Sequence, residues 1–349
     1  VYEQNIHEIE SGRVKLLYLA PETLFKSRTL ALLKTQKLAC FTIDEAHCIS
    51  EWGHDFRPEY RQIASIRDHF PDAVCIALTA TATERVRQDI QTNLKLPDGC
   101  EFISSFNREN LFLKIVEKVD PKQQLLEFLD RFSRNDPGII YCFSRKQVDS
   151  VSEFLNRHGF RARPYHAGME SAERMGNQEK FLLDKVQIIV ATIAFGMGIN
   201  KTNVRFVVHF DLPKNIESYY QEIGRAGRDG LRADCLLLFG FGDTKKIEYF
   251  IHQKSGNEQL NAIRHLNDLL AFVNSTACRR ISLLDYFAET YEKNNCGMCD
   301  NCVQDPTQLS DMTDIAKQLL TAVVETGNMF GPTHIIDVLR GSAGQKVKR

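Results

Sequence analysis

The sequence lacks any apolar run approaching the roughly 18 residues that a membrane-spanning helix requires, and its N-terminus carries no signal-peptide pattern. It also lacks an excess of charge: 44 Lys and Arg against 45 Asp and Glu leave a net charge of −1. No global basic field advertises nucleic acid, so binding of that kind has to use local patches. A disulfide framework is missing too. Of ten cysteines, six are scattered singly in strand-like or apolar settings and four fall near the C-terminal end, a usage that suits a reducing cytoplasm. Finally there is no Gly-x4-Gly-Lys-[Ser/Thr] loop, whose backbone amides would cradle phosphates. The nearest decoy, Gly196-Met197-Gly198-Ile199-Asn200-Lys201-Thr202, has Asn where the second glycine must sit and lies too late in the chain. The expectation is that either no nucleotide is hydrolysed or the first strands of the first domain lie upstream of Val1.

What is present suits a globular protein. A chain of 349 residues with 43% hydrophobic and 26% charged content can build two or three domains with real cores. The apolar run Leu38 to Ile43 ends in two adjacent acids, Asp44 and Glu45. A buried parallel strand delivers acids to the carboxyl edge of a sheet in this way. Pointing in different directions, one acid can hold Mg²⁺ through its water shell while the other orients and deprotonates an attacking water. The alternative is a solvated acidic turn. Val14 to Glu22 reads as a strand breaking at Pro21, Pro58 to Phe70 as a helix, and Ala73 to Leu78 as another buried strand. Thr79, Thr81 and Thr83 follow it, either as a hydrogen-bonding relay toward a neighbouring domain or as the cap of a helix over Glu84 to Leu94.

After a connector near Asp98 to Asn110, strands at 138–145, 162–166, 186–192 and 204–210 alternate with helices, which implies a second parallel sheet with helices on both faces. Asn215 to Gly230 then reads as a helix on which Gln221, Arg225 and Arg228 share a face. Gly224 and Gly227 would each weaken that helix by about 1 kcal/mol, so small residues there suggest close approach of another surface. Two guanidiniums beside glycines fit stabilisation of a transferring phosphoryl group, and a solvated basic helix end is the rival. From Asp243 the pattern is helical, with helices at 245–253 and 259–274. Cys278, Cys296, Cys299 and Cys302 supply the four thiolates of a closed tetrahedral zinc site, Gly297 letting the turn tighten. A redox pair is the alternative. Two further helices, at 311–324 and 332–339, are joined through Gly327 and Gly331.

Together these residues resemble the RecQ family of superfamily 2 DNA helicases, of the bacterial type, from Leu16 to about Leu339. Asp44-Glu45-Ala46-His47 resembles the family's Walker B motif. The resemblance implies Mg²⁺ coordination for Asp44, base catalysis for Glu45, and coupling between nucleotide and DNA sites for His47. Ser50 to Arg57 is similar to the aromatic-rich loop peculiar to that family, in which Trp52, His54, Phe56 and Arg57 would sense single-stranded DNA. Thr79-Ala80-Thr81 resembles motif III, and 141–145 with 166–168 resemble motif IV and the segment after it. Residues 191–199 resemble motif V, placing Thr192 on DNA and Gly198, with Gln221 and Asp44, at the nucleotide. Residues 221–228 resemble motif VI, with Arg228 the first choice of arginine finger and Arg225 the second.

The fold implied is α/β: two RecA-like parallel-sheet domains, the first incomplete, then a small helical zinc-binding domain and the start of a winged helix. The expected boundaries are 1–104, 105–241, 242–306 and 307–349. The activity implied is ATP-dependent 3′-to-5′ DNA unwinding in recombination and repair, with ATP, Mg²⁺ and Zn²⁺ as cofactors. The span alone is expected to be inactive, and the alternative is a zinc-stabilised DNA-binding module without ATPase activity. A monomer acting on single-stranded and forked DNA, with single-strand-binding protein as a partner and no membrane, is expected in the bacterial cytoplasm at the nucleoid.

Overall fold

The computed structural model describes residues 2–342 apart from His54, 97–100, 193–194, 196–198 and 305–310, with 2–4 described by backbone alone. The chain divides into two compact units, Val1–Cys302 and Val303–Arg349. Among the described residues no helix is long and apolar enough to cross a membrane.

The first unit begins with helices α1 (Tyr2–Glu10), α2 (Pro21–Leu24) and α3 (Ser27–Lys34), followed by strand β1 (Cys40–Ile43). A 3₁₀ turn over Ala46–Ile49, helix α4 (Pro58–Arg67), strand β2 (Val74–Ala77) and helix α5 (Glu84–Asn93) complete the first lobe. β1 and β2 pair in parallel, Ile43 opposite Ala77. Two expectations fail here. Val14 to Ala20 is not a strand: no neighbour pairs with it among the described residues, Leu16 and Tyr18 are exposed, and Pro21 opens α2 at its first turn instead of ending a strand. Nor are β1 and β2 fully buried. Helices cover one face of the pair among the described residues, through Ile63, Ile66, Val86 and Ile90, while Val74 and Ile76 on the other face stay exposed.

The second lobe is a six-stranded sheet in the order β3-β8-β7-β4-β6-β5. Its strands are β3 (Leu111–Glu117), β4 (Gly138–Tyr141), β5 (Ala162–Tyr165), β6 (Ile188–Ala191), β7 (Phe206–His209) and β8 (Ala233–Phe239), and every pairing is parallel. Between them run α6 (Pro121–Leu129), α7 (Arg145–Arg157), α8 (Ser171–Leu182) and α9 (Ile216–Ile223). Alternate strand residues serve opposite faces. Ile140, Val190, Val208 and Leu236 pack on α6 and α7 through Leu125, Phe128, Val151 and Leu155. Ile139, Ile189, Val207 and Leu237 pack on the other face against Tyr219 and Ile223 of α9. That second core also takes in α10 (Phe241–Ile251), α11 (Gly256–Asn274) and α12 (Arg279–Tyr286), through Ile247, Leu269, Phe272 and Leu283. The helical region is therefore built onto the sheet, continuous with its core.

α9 stops at Ile223, so Arg225 and Arg228 do not share a helix face with Gln221 as the periodicity suggested. Gly224 caps the helix and Gly227 turns the chain with φ +56. The guanidinium of Arg108 donates to the carbonyls of Gly224, Ala226 and Gly227, which fixes the turn that a continued helix would erase.

After α13 (Asp300–Val303), the second unit contains α14 (Thr313–Glu325) and α15 (Pro332–Leu339), joined through Gly327 and Asn328 at positive φ. Their contact buries Ala322 and Ile335.

At the start of β4, a Cβ on Gly138 would lie 1.9 Å from Cε2 of Phe206 on the adjacent strand. Gly138→Ala is expected to destabilise the protein by about 1–3 kcal/mol through overpacking. Chemical denaturation checks this, and an unchanged midpoint would mean the Phe206 ring has room to move.

Candidate functional site

β1 leads straight into the acidic turn. Asp44 is exposed, and its Oδ1 accepts the backbone N–H of Glu45 at 2.9 Å. Glu45 adopts φ 50 and ψ 42, a left-handed conformation that costs a non-glycine residue of order 1 kcal/mol or more. The cost is met because the chain is pinned on both sides. Leu78 N–H donates to the Ile43 carbonyl at 2.8 Å, and Ala46 N–H donates to the Leu78 carbonyl at 2.9 Å. The twist turns Glu45 away from Asp44 and into the protein, where it is half-buried. Burial and the neighbouring Asp44 charge raise its pKa, while Arg225 and Arg57 pull it back down.

His47 is buried on the 3₁₀ turn, with Nδ1 3.0 Å from Thr79 Oγ1 and 3.3 Å from Glu45 Oε2. Thr79 Oγ1 also accepts Thr81 N–H at 3.3 Å, and Thr81 Oγ1 accepts Gln221 Nε2 at 3.3 Å. A line of hydrogen bonds thus runs from the acidic turn across to α9. Thr83 occupies the N-cap of α5 without a side-chain cap bond, so of the two readings of the threonine run the relay is the one its side chains make.

Beyond α9, Arg225 lies within electrostatic reach of Glu45 and faces the Tyr141 hydroxyl at the end of β4. Arg228 Nη1 donates to the Ile199 carbonyl at 2.8 Å, and burial with the Arg225 and Arg108 charges lowers its pKa. Gly227 has no room for a side chain: a Cβ there would lie 2.4 Å from Asn110 Nδ2. Asn110 in turn donates to the carbonyls of Gly227 and Leu231, both at 2.8 Å. Arg108 and Asn110 fall in the segment that the sequence reads as a connector, near Asp98 to Asn110. Their only signal is a position just before β3, which is too common to single them out.

A cleft of about 1140 Å³ lies between the loop over 51–58, the carboxyl ends of the second lobe's strands, and α10–α11. Phe56 and Thr192 both line it. Trp52 sits to one side, with Arg85 3.2 Å over its ring and Arg264 of α11 at 5.6 Å. Arg57 is exposed and paired with Asp55 at 2.8 Å. Asn261 of α11 donates to the Glu51 carbonyl at 3.0 Å, tying the helical region to this loop. His54 and Gly198 fall outside the described residues.

The four C-terminal cysteines converge, their sulfurs all lying within 4.8 Å of one another. A zinc tetrahedron with bonds of about 2.3 Å has edges near 3.8 Å, and Cys296 Sγ lies 3.9 Å from Cys302 Sγ. Gly297, at φ +62, supplies the turn between the first two ligands of the knuckle. The donor set therefore fits a closed, all-sulfur site. Leu113 N–H donates to the Met298 carbonyl, so the knuckle pairs with the free edge of β3 and covers it. Buried Arg279 locks the arrangement by donating to Asp300 Oδ1 and to the Phe272 and Val273 carbonyls.

Two α/β lobes, one offering acids and the other arginines, define a protein of the helicase fold. The same fold appears in S. cerevisiae Dbp5 bound to RNA and ADP BeF3, with TM-score 0.52 and 19% identity over 72% of this chain and 68% of that one. Family profiles described as DEAD/DEAH box helicase, helicase conserved C-terminal domain, RecQ zinc-binding and RQC domain match residues 1–90, 120–230, 241–303 and 306–349. A protein named ATP-dependent DNA helicase RecQ from Pasteurella multocida is 44% identical over 99% of this chain and 54% of its own length. Those of the same name from Haemophilus influenzae and Bacillus subtilis are 43% and 40% identical, with 55% and 58% of their lengths covered. The chain belongs to the RecQ family of helicases, and it spans about half the length of these curated relatives.

Burial pushes the His47 imidazole down to about 4. An unfolded imidazole titrates near ~6.5, so between these values the unfolded chain holds the extra proton and stability rises with pH. This contribution is complete above about pH 6.5 and is lost as pH falls toward 4. In urea unfolding, the parent should lose more stability than His47→Gln between about pH 7 and about pH 5, and equal losses would contradict the assignment. Elemental analysis should find about one zinc per chain, with the metal lost in Cys299→Ser. Full retention of zinc in that variant would rule out the four-sulfur site.

Proposed function

We propose that this chain belongs to an ATP-driven enzyme that unwinds DNA by moving 3′-to-5′ along a single strand, and that the span by itself is inactive. Residues 1–104 and 105–241 are the two motor lobes, 242–306 the zinc-binding region, and 307–349 the beginning of a winged helix. The observation that carries the reading is the hydrogen-bond line from His47 through Thr79 and Thr81 to Gln221, which joins the acidic turn of one lobe to the arginine-bearing segment of the other.

Mg²⁺ brought with the nucleotide would neutralise charge on the β- and γ-phosphates, with Asp44 holding it through its water shell. Glu45 orients the attacking water and takes its proton. Its raised pKa makes it a stronger base than a solvent-exposed carboxylate. Gln221 contacts the nucleotide, as does Gly198, and His47 reports its state to the strand-binding loop. Arg228 and Arg225 meet the charge that develops on the transferring phosphoryl group. For that, Arg228 exchanges its bond to the Ile199 carbonyl for one to phosphate, whereas Arg225 already lies within electrostatic reach of Glu45.

The bonds joining the first lobe to the rest are individually small. A neutral hydrogen bond contributes about 1 kcal/mol, and an exposed cation–π contact about 0.5–1 kcal/mol. Lobes held by Gln221–Thr81, Asn261–Glu51 and Arg264–Trp52 can therefore separate and close in each cycle. Trp52, His54, Phe56, Arg57 and Thr192 grip the strand. Stacking of a base is worth about 1–3 kcal/mol, enough to displace Arg85 from the face of Trp52. The substrates are single-stranded and forked DNA in recombination and repair. The protein works as a monomer in the bacterial cytoplasm at the nucleoid, alongside single-strand-binding protein.

The test is Glu45→Gln in the full-length protein. ATP and DNA binding should persist while DNA-stimulated ATP turnover falls by about 10²-fold or more. Near-normal turnover would remove Glu45 from the role of base.

A further inference from the structure

A nucleic-acid strand carries a negative charge at every phosphate, yet the walls of the 1140 Å³ cleft are acidic. Among the described residues Glu51, Asp55, Asp211, Glu222 and Glu258 line it, against two lysines, Lys214 and Lys254. Low-dielectric walls focus the field of such charges, so an uncompensated carboxylate there repels a polyanion. Each of the five has a partner. Glu51 is paired with Arg61 at 2.7 Å, Asp55 with Arg57 at 2.8 Å, Glu258 with Lys254, and Glu222 with His209 at 2.6 Å. Glu51, Asp55 and Glu258 are at least partly exposed, and water screens charges of that kind. Asp211, at the carboxyl end of β7, has a side chain only 2% exposed, and it meets two ammonium groups.

The first is Lys118, just past β3, whose backbone N–H donates to the Phe239 carbonyl at 2.8 Å. Its side chain is largely buried and stands behind the cleft wall, outside the lining. Nζ donates to Asp211 Oδ1 at 2.7 Å and to Asp243 Oδ2 at 3.1 Å. Asp243 is a buried residue in the first turn of α10. Lys246, three residues on, donates to Asp243 Oδ1 at 2.9 Å and to Asp211 Oδ1 at 3.5 Å. Two carboxylates and two ammonium groups thus close a neutral cluster. Burial by itself would raise the Asp211 pKa, but the Lys118 charge and hydrogen bond, the Phe143 N–H and Lys246 hold it below the usual carboxylate range.

Asp211 has a task that needs its carboxylate. Oδ2 accepts the Phe143 N–H at 2.9 Å and Oδ1 accepts Gln147 Nε2 at 3.3 Å, which fixes the loop between β4 and α7. Phe143 of that loop lines the cleft. A buried ion pair adds little to stability over apolar side chains of similar volume, so a cluster of four charges calls for another account. We propose that Lys118 is a positioning residue for strand binding: it holds Asp211 on the loop after β4 and cancels its charge, so that the cleft admits phosphates. This rests on the reading of the cleft as a single-strand site. Lys118 acts through Asp211, from behind the wall. Without its ammonium, two buried carboxylates share one cation, and the excess negative charge is one that water screens poorly.

The experiment measures affinity of the full-length protein for a single-stranded oligonucleotide by fluorescence anisotropy, at low salt and about pH 8, where carboxylates are ionised. Lys118→Met keeps the length of the side chain and should weaken binding by about tenfold, with oligonucleotide-free ATP turnover within about threefold of the parent. Adding Asp243→Asn, outside the lining of the cleft, rebalances the cluster and should bring affinity back to within about threefold of the parent. A merely structural role would not be repaired by removing a second charge. If Lys118→Met does not fold, Lys246→Met, alone and with Asp243→Asn, carries the same test from the exposed side of the cluster. Unchanged affinity in the single variant, or a deficit that Asp243→Asn leaves in place, overturns the inference. The reading of the cleft is checked separately by Phe56→Ala, which should cost about tenfold in affinity through lost stacking. Unchanged binding in that variant removes the strand from the cleft and the role of Lys118 with it, whereas a loss there beside unchanged Lys118→Met overturns the role of Lys118 alone.

Discussion

Glu45 is turned into the protein, within electrostatic reach of Arg225 of the second lobe, by a backbone held in a left-handed conformation, and that hold comes from the β1–β2 ladder. The last rungs of the ladder, Leu78 to Ile43 and Ala46 to Leu78, clamp the chain on either side of Asp44 and Glu45. Remove the clamp and the residue relaxes to an ordinary conformation, with its carboxylate turned elsewhere. The same pairing brings Thr79, just past β2, to His47. One local piece of sheet geometry therefore sets both the direction of the acid and the start of the line that leads to Gln221.

The second lobe is organised differently. Its sheet is buried on both faces, and one of its cores continues without a break into α10, α11 and α12. The cysteine knuckle extends the body by pairing with the edge of β3, and Arg279 and Arg280 fasten α12 to carbonyls on either side. This makes a stiff frame of sheet and helical region. The first lobe has its own core and meets that frame through a few weak bonds. Stiffness on one side and weak coupling on the other is the mechanical arrangement a closing cleft requires.

Among the elements read correctly from the sequence, β4, β6 and β7 are buried on both faces and appear as uninterrupted apolar runs. β3 and β8 were not read as strands, although β8 is buried along its whole length. The convergence of Cys278 with the knuckle was equally legible, because the spacing of the last three cysteines constrains the turn that carries them. Misreadings arose where local pattern and tertiary context disagree. Val14 to Ala20 has strand composition but no pairing neighbour among the described residues, and composition carries no information about neighbours. Asn215 to Gly230 has helical periodicity to its end, yet Arg108, more than a hundred residues earlier, captures the carbonyls that would have continued the helix.

By itself the sequence determined the architecture, two parallel-sheet lobes followed by helices and a four-sulfur cluster, because burial patterns and ligand spacing are local properties of the chain. It also determined which residue types could do chemistry, since Asp-Glu after a strand and arginines beside glycines are visible without a fold. Only the tertiary structure decided how they are used. Which threonine His47 meets, which arginine lies within electrostatic reach of Glu45, what lies over Trp52, and that α9 holds a histidine at each of its two glutamates are outcomes of chain segments meeting across long sequence separations. Such contacts are selected by packing and by the pairing of buried polar groups, and neither leaves a periodic trace in the sequence.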